Sequence, residues 1–221
     1  MTVLDGHPLD GTVLDGAAID PSSSGPTVDD APVPPRTRGW AWSLALASLV
    51  GIISGSITIV DKIALLKEPA AGSFCDVSAQ LGCTPVLLSW QSSVLGPPNA
   101  LLGVIMFAVL GTSGLVAATG GRLSAGYRQA MVGLSVFFAL FLTWYMQQVA
   151  FSIGSLCPFC TVCAAGVLVT VLATTRLAAD PGGSVFQRSL AGLVRGNTDV
   201  IVVVGWAVLI AAMLYAGIWI R

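Results

Sequence analysis

Apolar residues gather into five long runs, at about 40–60, 99–118, 130–150, 156–175 and 200–220, and the charged residues fall in the stretches between them. Each run has roughly the 20 residues that an α-helix needs to cross the hydrocarbon core of a bilayer. The pattern therefore predicts five transmembrane helices, with the two termini on opposite sides. One connection is long, from about 61 to 98. Within it "TPVLLSWQSSVLG" carries apolar residues at Val86, Leu87, Trp90, Val94 and Leu95, a helical spacing with one wet face. Such a half-helix is expected to lie on the membrane and to cover whatever the bundle holds beneath it. The first 38 residues differ from all of this. They repeat a hydrophobic–Asp step every five residues, are rich in Gly, Pro and Ser, and read as a disordered acidic tail.

Composition agrees with the pattern: 55% of the 221 residues are hydrophobic and only 10% charged, with a mean hydropathy of +0.85, outside the range of soluble domains. Net charge, near −1, says little about partners because six of the eleven acids lie in the first 30 residues. The position of the basic residues says more. Arg36, Arg38, Arg122, Arg128, Arg176, Arg188 and Arg195 all fall on one side of the five-span topology, which makes that side cytoplasmic. Lys62, Lys67 and Arg221 fall on the other. The N-terminus is expected inside the cell and the C-terminus outside it. The tail has neither a basic start nor an apolar stretch, so the first span is expected to act as an uncleaved anchor. His7, the only histidine, reads as an inert solvated residue.

Depth can now be assigned to the cysteines. Cys75 and Cys83 lie in the outer segment "SFCDVSAQLGCTP", and Cys157 and Cys160 open the fourth span at the same surface. Cys163 lies one turn deeper and reads as a small buried hydrophobe. For the other four, a structural disulfide between Cys75 and Cys83, a zinc site and a redox relay are the alternatives. Zinc is disfavoured because no histidine falls in the membrane region and because the seven-residue gap of the first pair matches no zinc half-site. The redox reading has a basis in helix geometry. Two cysteines in the first turn of a helix share one face near unpaired N–H groups and the positive end of the dipole, which stabilises thiolate. Pro158 suits that turn. Two pairs facing one oxidising compartment then form a relay. A soluble thiol protein hands electrons to Cys75/Cys83, these pass to Cys157/Cys160, and the final acceptor sits in the membrane. A quinone meets that requirement, since it carries two electrons and resides in the bilayer.

In order along the chain, "CDVSAQLGC", Trp90, "NALLG" and "CPFC" resemble the vitamin K epoxide reductase family, from about Ser73 to Gly166. The resemblance implies an all-α integral membrane protein with a four-helix transmembrane bundle around a quinone (menaquinone, ubiquinone or a vitamin K-like compound); it leaves the tail and the fifth span unaddressed, and that span, read from hydropathy, is expected to pack peripherally. With the hydropathy pattern, the membrane domain is expected over 39–221. The resemblance also implies a quinone-dependent dithiol oxidase that supports disulfide bond formation in the cell membrane. Cys160 would face the quinone and form a transient adduct or charge-transfer contact with it. Cys157 would exchange with Cys83, and Cys75 would meet the external thiol partner. Asn99 would donate a hydrogen bond to a quinone carbonyl; by position alone it reads as a helix cap. Asp76 reads as the cap of the loop's short helix, with tuning of Cys75 as the alternative.

One departure is plain. Vertebrate members carry a tyrosine four residues after the second active-site cysteine, where this chain has Ala164. A second polar anchor would come from elsewhere, with Trp144, Tyr145, Gln147 and Gln148 near the outer end of the third span as candidates, although interfacial anchoring is their ordinary role. These 221 residues include no thioredoxin-like domain, so a separate thioredoxin-like thiol oxidase is the expected partner; nothing points to nucleic acid. The competing reading is a membrane transporter or assembly factor with structural disulfides, disfavoured by the lack of charge inside the spans.

Overall fold

The computed structural model describes residues 35–220. Most of the acidic tail, with His7, lies outside them. The described chain is helical: α1 (Pro35–Lys67), α2 (Thr84–Leu88), α3 (Asn99–Ala118), α4 (Ala125–Gln148), α5 (Pro158–Ala178), α6 (Val185–Arg195) and α7 (Thr198–Tyr215). Five helical segments are long and apolar enough to cross a membrane, at Thr37–Lys67, Asn99–Ala118, Ala125–Ile153, Pro158–Ala178 and Thr198–Ile220. The expected fold class holds: a multi-pass membrane bundle of α1, α3, α4 and α5, with α7 set against α4, α5 and α6.

Two boundaries move. α1 starts at Pro35, inside the segment read as tail, and runs on to Lys67, so Asp61 and Lys62 belong to the helix and not to the following loop. The half-helix expected over 86–95 is broken: α2 stops at Leu88, Ser89 is extended (φ −67°, ψ 148°), and Trp90–Ser93 form a separate 3-10 turn. Serine hydroxyls make the break possible by taking over carbonyls that the helix would otherwise bond. Ser89 Oγ donates to Val86 O (2.7 Å), and Ser92 Oγ donates to Leu87 O (2.8 Å). As a result Val86 and Leu87 are buried while Trp90 stands 69% exposed.

α1 is the centre of the bundle and packs most extensively on α3 and α5. Without a hydrophobic driving force between helices in lipid, close approach comes from small residues. Here a Cβ on Gly111 would lie 2.7 Å from Ser48 Cβ, and one on Gly114 3.0 Å from the Ala41 carbonyl. At the far end from the cysteines, Arg176 of α5 clasps the buried Asp199 of α7 (2.6 and 3.0 Å), donates to Asn197 Oδ1 (3.0 Å) and lies 4.4 Å from the Trp40 ring of α1. The sequence pattern does not announce α6, an amphipathic helix between the last two spans, opened by a reciprocal cap between Ser184 and Gln187.

Candidate redox site

The outer loop is organised around Asp76. Its carboxylate accepts hydrogen bonds from the Cys83 N–H (2.7 Å), the Thr84 N–H (3.0 Å), the Thr84 hydroxyl (2.6 Å) and the Ser73 N–H (2.9 Å). The N–H groups of Cys83 and Thr84 are those that the start of α2 leaves unpaired, so the capping role read for Asp76 is what the geometry gives. Desolvation pushes the Asp76 pKa up, but the bonds from Thr84, Ser73 and Cys83 outweigh it and hold the carboxyl below its ordinary range. With both ends of "CDVSAQLGC" gathered on one carboxylate, the Cα atoms of Cys75 and Cys83 lie 5.7 Å apart, and the two residues form a disulfide.

A backbone staple brings this loop to α5. The Gly82 N–H donates to Leu156 O (3.2 Å), and the Leu156 N–H donates to Gln80 O (2.8 Å). The approach to residue 156 is set by the end of α4, which closes in a π-helical turn, Val149–Ile153. Gly154 follows at φ +74°, a left-handed conformation that a side chain would strain, and its N–H donates to Val149 O (2.9 Å). Cys157 then falls at the N-cap of α5, with Pro158 in the first turn.

These constraints leave Cys83 Sγ 3.0 Å from Cys157 Sγ. The sulfurs of Cys75, Cys83 and Cys157 all lie within 4.8 Å of one another. Cys157 Sγ accepts the Cys160 N–H (3.4 Å). The Cys157 thiol is held below its ordinary pKa first by the Cys160 side chain; burial opposes this, the Cys160 and Phe159 N–H groups add to it, and the Asp61 charge opposes it. Thiolate is thus favoured on the sulfur that faces the loop disulfide. Cys75, read as the residue that meets a partner, is only 6% exposed.

Cys160 lies one turn further in and lines a cavity of about 110 Å³ between α1, α3, α4 and α5. Aromatic rings of Phe107, Phe138, Phe141 and Tyr145 form much of its wall, and Lys62, Leu87 and Ser92 border it on the loop side. Cys163 also lines it, its thiol 3.8 Å from the Gly51 carbonyl. Asn99 borders the same cavity but does not act as a cap. Its Nδ2 donates to Gln91 O (2.6 Å), while its buried Oδ1 has no partner among the described residues. A buried acceptor without a donor costs free energy unless a ligand satisfies it. An aromatic-walled cavity with a sulfur and an unpaired amide oxygen on its lining fits a flat quinone ring with polar oxygens at its edge.

Of the four residues raised as a second polar anchor, Tyr145 is the one that borders the cavity; it is 8% exposed, and Gln147 faces out. Sequence reasoning missed Asp61, Lys62 and Ser73 as parts of the site. All three are buried. Lys62 Nζ donates to Ser92 Oγ and Ser93 Oγ (both 2.6 Å), fastening the 3-10 turn to α1. The signal that was available is the Asp–Lys pair inside the apolar run "TIVDKIALL", since ionisable residues at membrane depth usually serve a site.

A loop disulfide within exchange distance of a helix-capping thiol, set in a five-span bundle, defines the class: a membrane thiol–disulfide oxidoreductase. A model of the vitamin K epoxide reductase family matches residues 42–175, more than half of the chain, and the chain belongs to that family. No curated protein matches the chain closely enough to count as a relative.

Proposed function

We propose that this protein oxidises an extracytoplasmic thioredoxin-like dithiol and delivers the electron pair to a membrane quinone, so sustaining disulfide formation. The single observation that carries this reading is the 3.0 Å approach of Cys83 Sγ to Cys157 Sγ. It joins a loop pair that an aqueous partner can reduce to a helical pair at the cavity. The partner's first thiolate attacks Cys75 and releases Cys83; its second thiolate then attacks the first sulfur, forming the partner's disulfide and releasing Cys75. Cys83 thiolate attacks Cys157 of an oxidised Cys157–Cys160 pair, displacing Cys160 as thiolate. Cys75 resolves the resulting Cys83–Cys157 bond and remakes the loop disulfide, leaving Cys157 and Cys160 reduced.

Asn99, Tyr145 and Cys160 would hold the quinone, with the aromatic side chains of Phe107, Phe138 and Phe141 against its ring. When bound it supplies a two-electron acceptor soluble in the bilayer. The unpaired Asn99 Oδ1 offers an acceptor to a hydroxyl, and the second Nδ2 hydrogen offers a donor to a carbonyl. The turn Trp90–Ser93, tied down by Lys62, screens the cavity from water. The arginine distribution supports an orientation with the cysteines outside the cytoplasm.

Trapping tests the order of electron flow. A Cys83→Ser variant given the partner in its disulfide form is expected to accumulate it on Cys75, whose thiolate attacks that disulfide and finds no Cys83 to release it, and a Cys160→Ser variant to lose dithiol-driven quinone reduction altogether. Accumulation of the partner on Cys157 in the Cys83→Ser variant reverses the order proposed.

A further inference from the structure

Asp61 is a buried carboxylate that the relay above leaves without a task. It is 7% exposed near the end of α1, and no cation lies within ion-pair distance of it among the described residues. Its neighbour Lys62 is turned away to Ser92 and Ser93. Burying an unpaired carboxylate is costly, so the groups around it matter. Its Oδ2 accepts a hydrogen bond from the Ser73 hydroxyl and lies 3.9 Å from Cys75 Sγ. The Ser73 oxygen is itself 3.1 Å from Cys75 Sγ. Ser73 is held there from three directions: its N–H donates to Asp76 Oδ2 (2.9 Å) and to Thr84 Oγ1 (2.8 Å), and its Oγ accepts the Cys75 N–H (3.2 Å).

The two ends of the relay differ in how a thiolate can arise. Cys157 caps the N-terminus of α5 and is stabilised as thiolate there. Cys75 lies in the loop and does not itself open a helix, its own N–H being given to Ser73 Oγ, yet it must attack Cys83 as thiolate to remake the loop disulfide. We propose that Asp61, with Ser73 as its relay, is the general base that takes the Cys75 proton in this resolving step. The inference rests on the electron order proposed above. As the Cys75 sulfur bonds to Cys83, the Cys83–Cys157 bond breaks and its electron pair stays on Cys157. The Cys75 proton goes to the Asp61 carboxylate, directly or through the Ser73 hydroxyl, and from there to water at the loop. Over the two exchanges together the loop pair is oxidised by two electrons and the Cys157/Cys160 pair is reduced by two. Run backwards, protonated Asp61 supplies the proton to the Cys75 leaving group.

The test is a single turnover in detergent micelles. Fully reduced protein is mixed with menadione, quenched with acid, alkylated, and its disulfides mapped by mass spectrometry. Asp61→Asn keeps an oxygen for the Ser73 hydroxyl but cannot accept the proton. It is expected to accumulate the Cys83–Cys157 species and to resolve it about 100-fold more slowly, the lower end of what a positioned base contributes. Between pH 6 and 8 the wild-type resolution rate is expected to change little. That of Asp61→Asn is expected to climb about tenfold per pH unit with the thiolate fraction of Cys75. The other titrating or charged groups nearby, Asp76 across the loop, Cys157 on α5 and Lys62 on α1, are common to both proteins and do not produce the difference. Resolution of Asp61→Asn at the wild-type rate overturns the inference.

Cys75→Ser separates the inference from the reading beneath it. This variant has no resolving thiol and must trap Cys83–Cys157 if the electron order is right; its failure to do so sinks that order, whatever Asp61 does. If Cys75→Ser traps the species but the Cys75→Ser/Asp61→Asn double variant does not, Asp61 holds the loop in place rather than moving a proton, and the inference is likewise overturned.

Discussion

At the residue scale the site is a problem of placing sulfur atoms, and Asp76 solves most of it. One carboxylate collects N–H groups from both ends of the cysteine loop, so Cys83 is presented to Cys157 by a single charged hub. Asp76→Ala is expected to lower stability by about 1–2 kcal/mol, as for a lost helix cap. The pH dependence follows from the depressed pKa of Asp76. A carboxyl whose folded value lies below its unfolded value, about 3.9, stabilises fully above that pH and loses the contribution as pH falls through the folded value. The difference in melting temperature between wild type and Asp76→Asn is therefore expected to be constant near neutrality and to shrink below about pH 4. An undiminished gap at pH 3 would show that charge is not its source.

At the element scale, helices pack here by removing side chains as much as by adding them. Gly111 of α3 meets Ser48 of α1 with no room for a methyl group, since the clashing atom is a Cβ that only backbone movement can displace. Gly111→Ala is expected to cost about 1–3 kcal/mol by overpacking, read as a fall in thermal stability. The substitution is remote from the sulfurs, so the Cys83–Cys157 species should still form in protein that remains folded. The break in the outer half-helix at Ser89 belongs to this scale as well. A continuous helix from Val86 to Leu95 satisfies the apolar spacing, but the serine hydroxyls and the Lys62 ammonium hold the chain in two short pieces over the cavity.

At the scale of the whole molecule, the paired sulfurs lie at one end of the bundle and a buried ion pair, Arg176–Asp199, at the other. Arg176 and Asp199 are both largely withdrawn from water, with side chains 13% and 4% exposed. Truncating one partner of such a pair strands the other. Asp199→Ala is expected to destabilise by about 3 kcal/mol and to loosen α7, whereas an Arg176→Leu/Asp199→Ala double variant loses less, a difference that a thermal-unfolding double-mutant cycle measures. A second link, Trp206 Nε1–H to Thr143 Oγ1 (2.8 Å), ties α7 to α4 and keeps the peripheral span from depending on the ion pair alone.

The number of candidate spans, the all-helical class and the meeting of the cysteine pairs at one end of the bundle were legible in the sequence. Hydropathy and residue spacing are properties of short windows, and membrane thickness sets the length scale. The approach of Cys83 to Cys157 was implied by the family resemblance; tertiary structure alone decided that Tyr145 reaches the cavity while Gln147 faces out, and that Asp61 turns toward Cys75 while Lys62 turns to the serines. A helix that is apolar on every side carries no pattern to say which face meets protein and which meets lipid. That rotation is set by where glycines let neighbouring backbones approach and by where buried polar atoms find partners, and both are settled only when the helices pack.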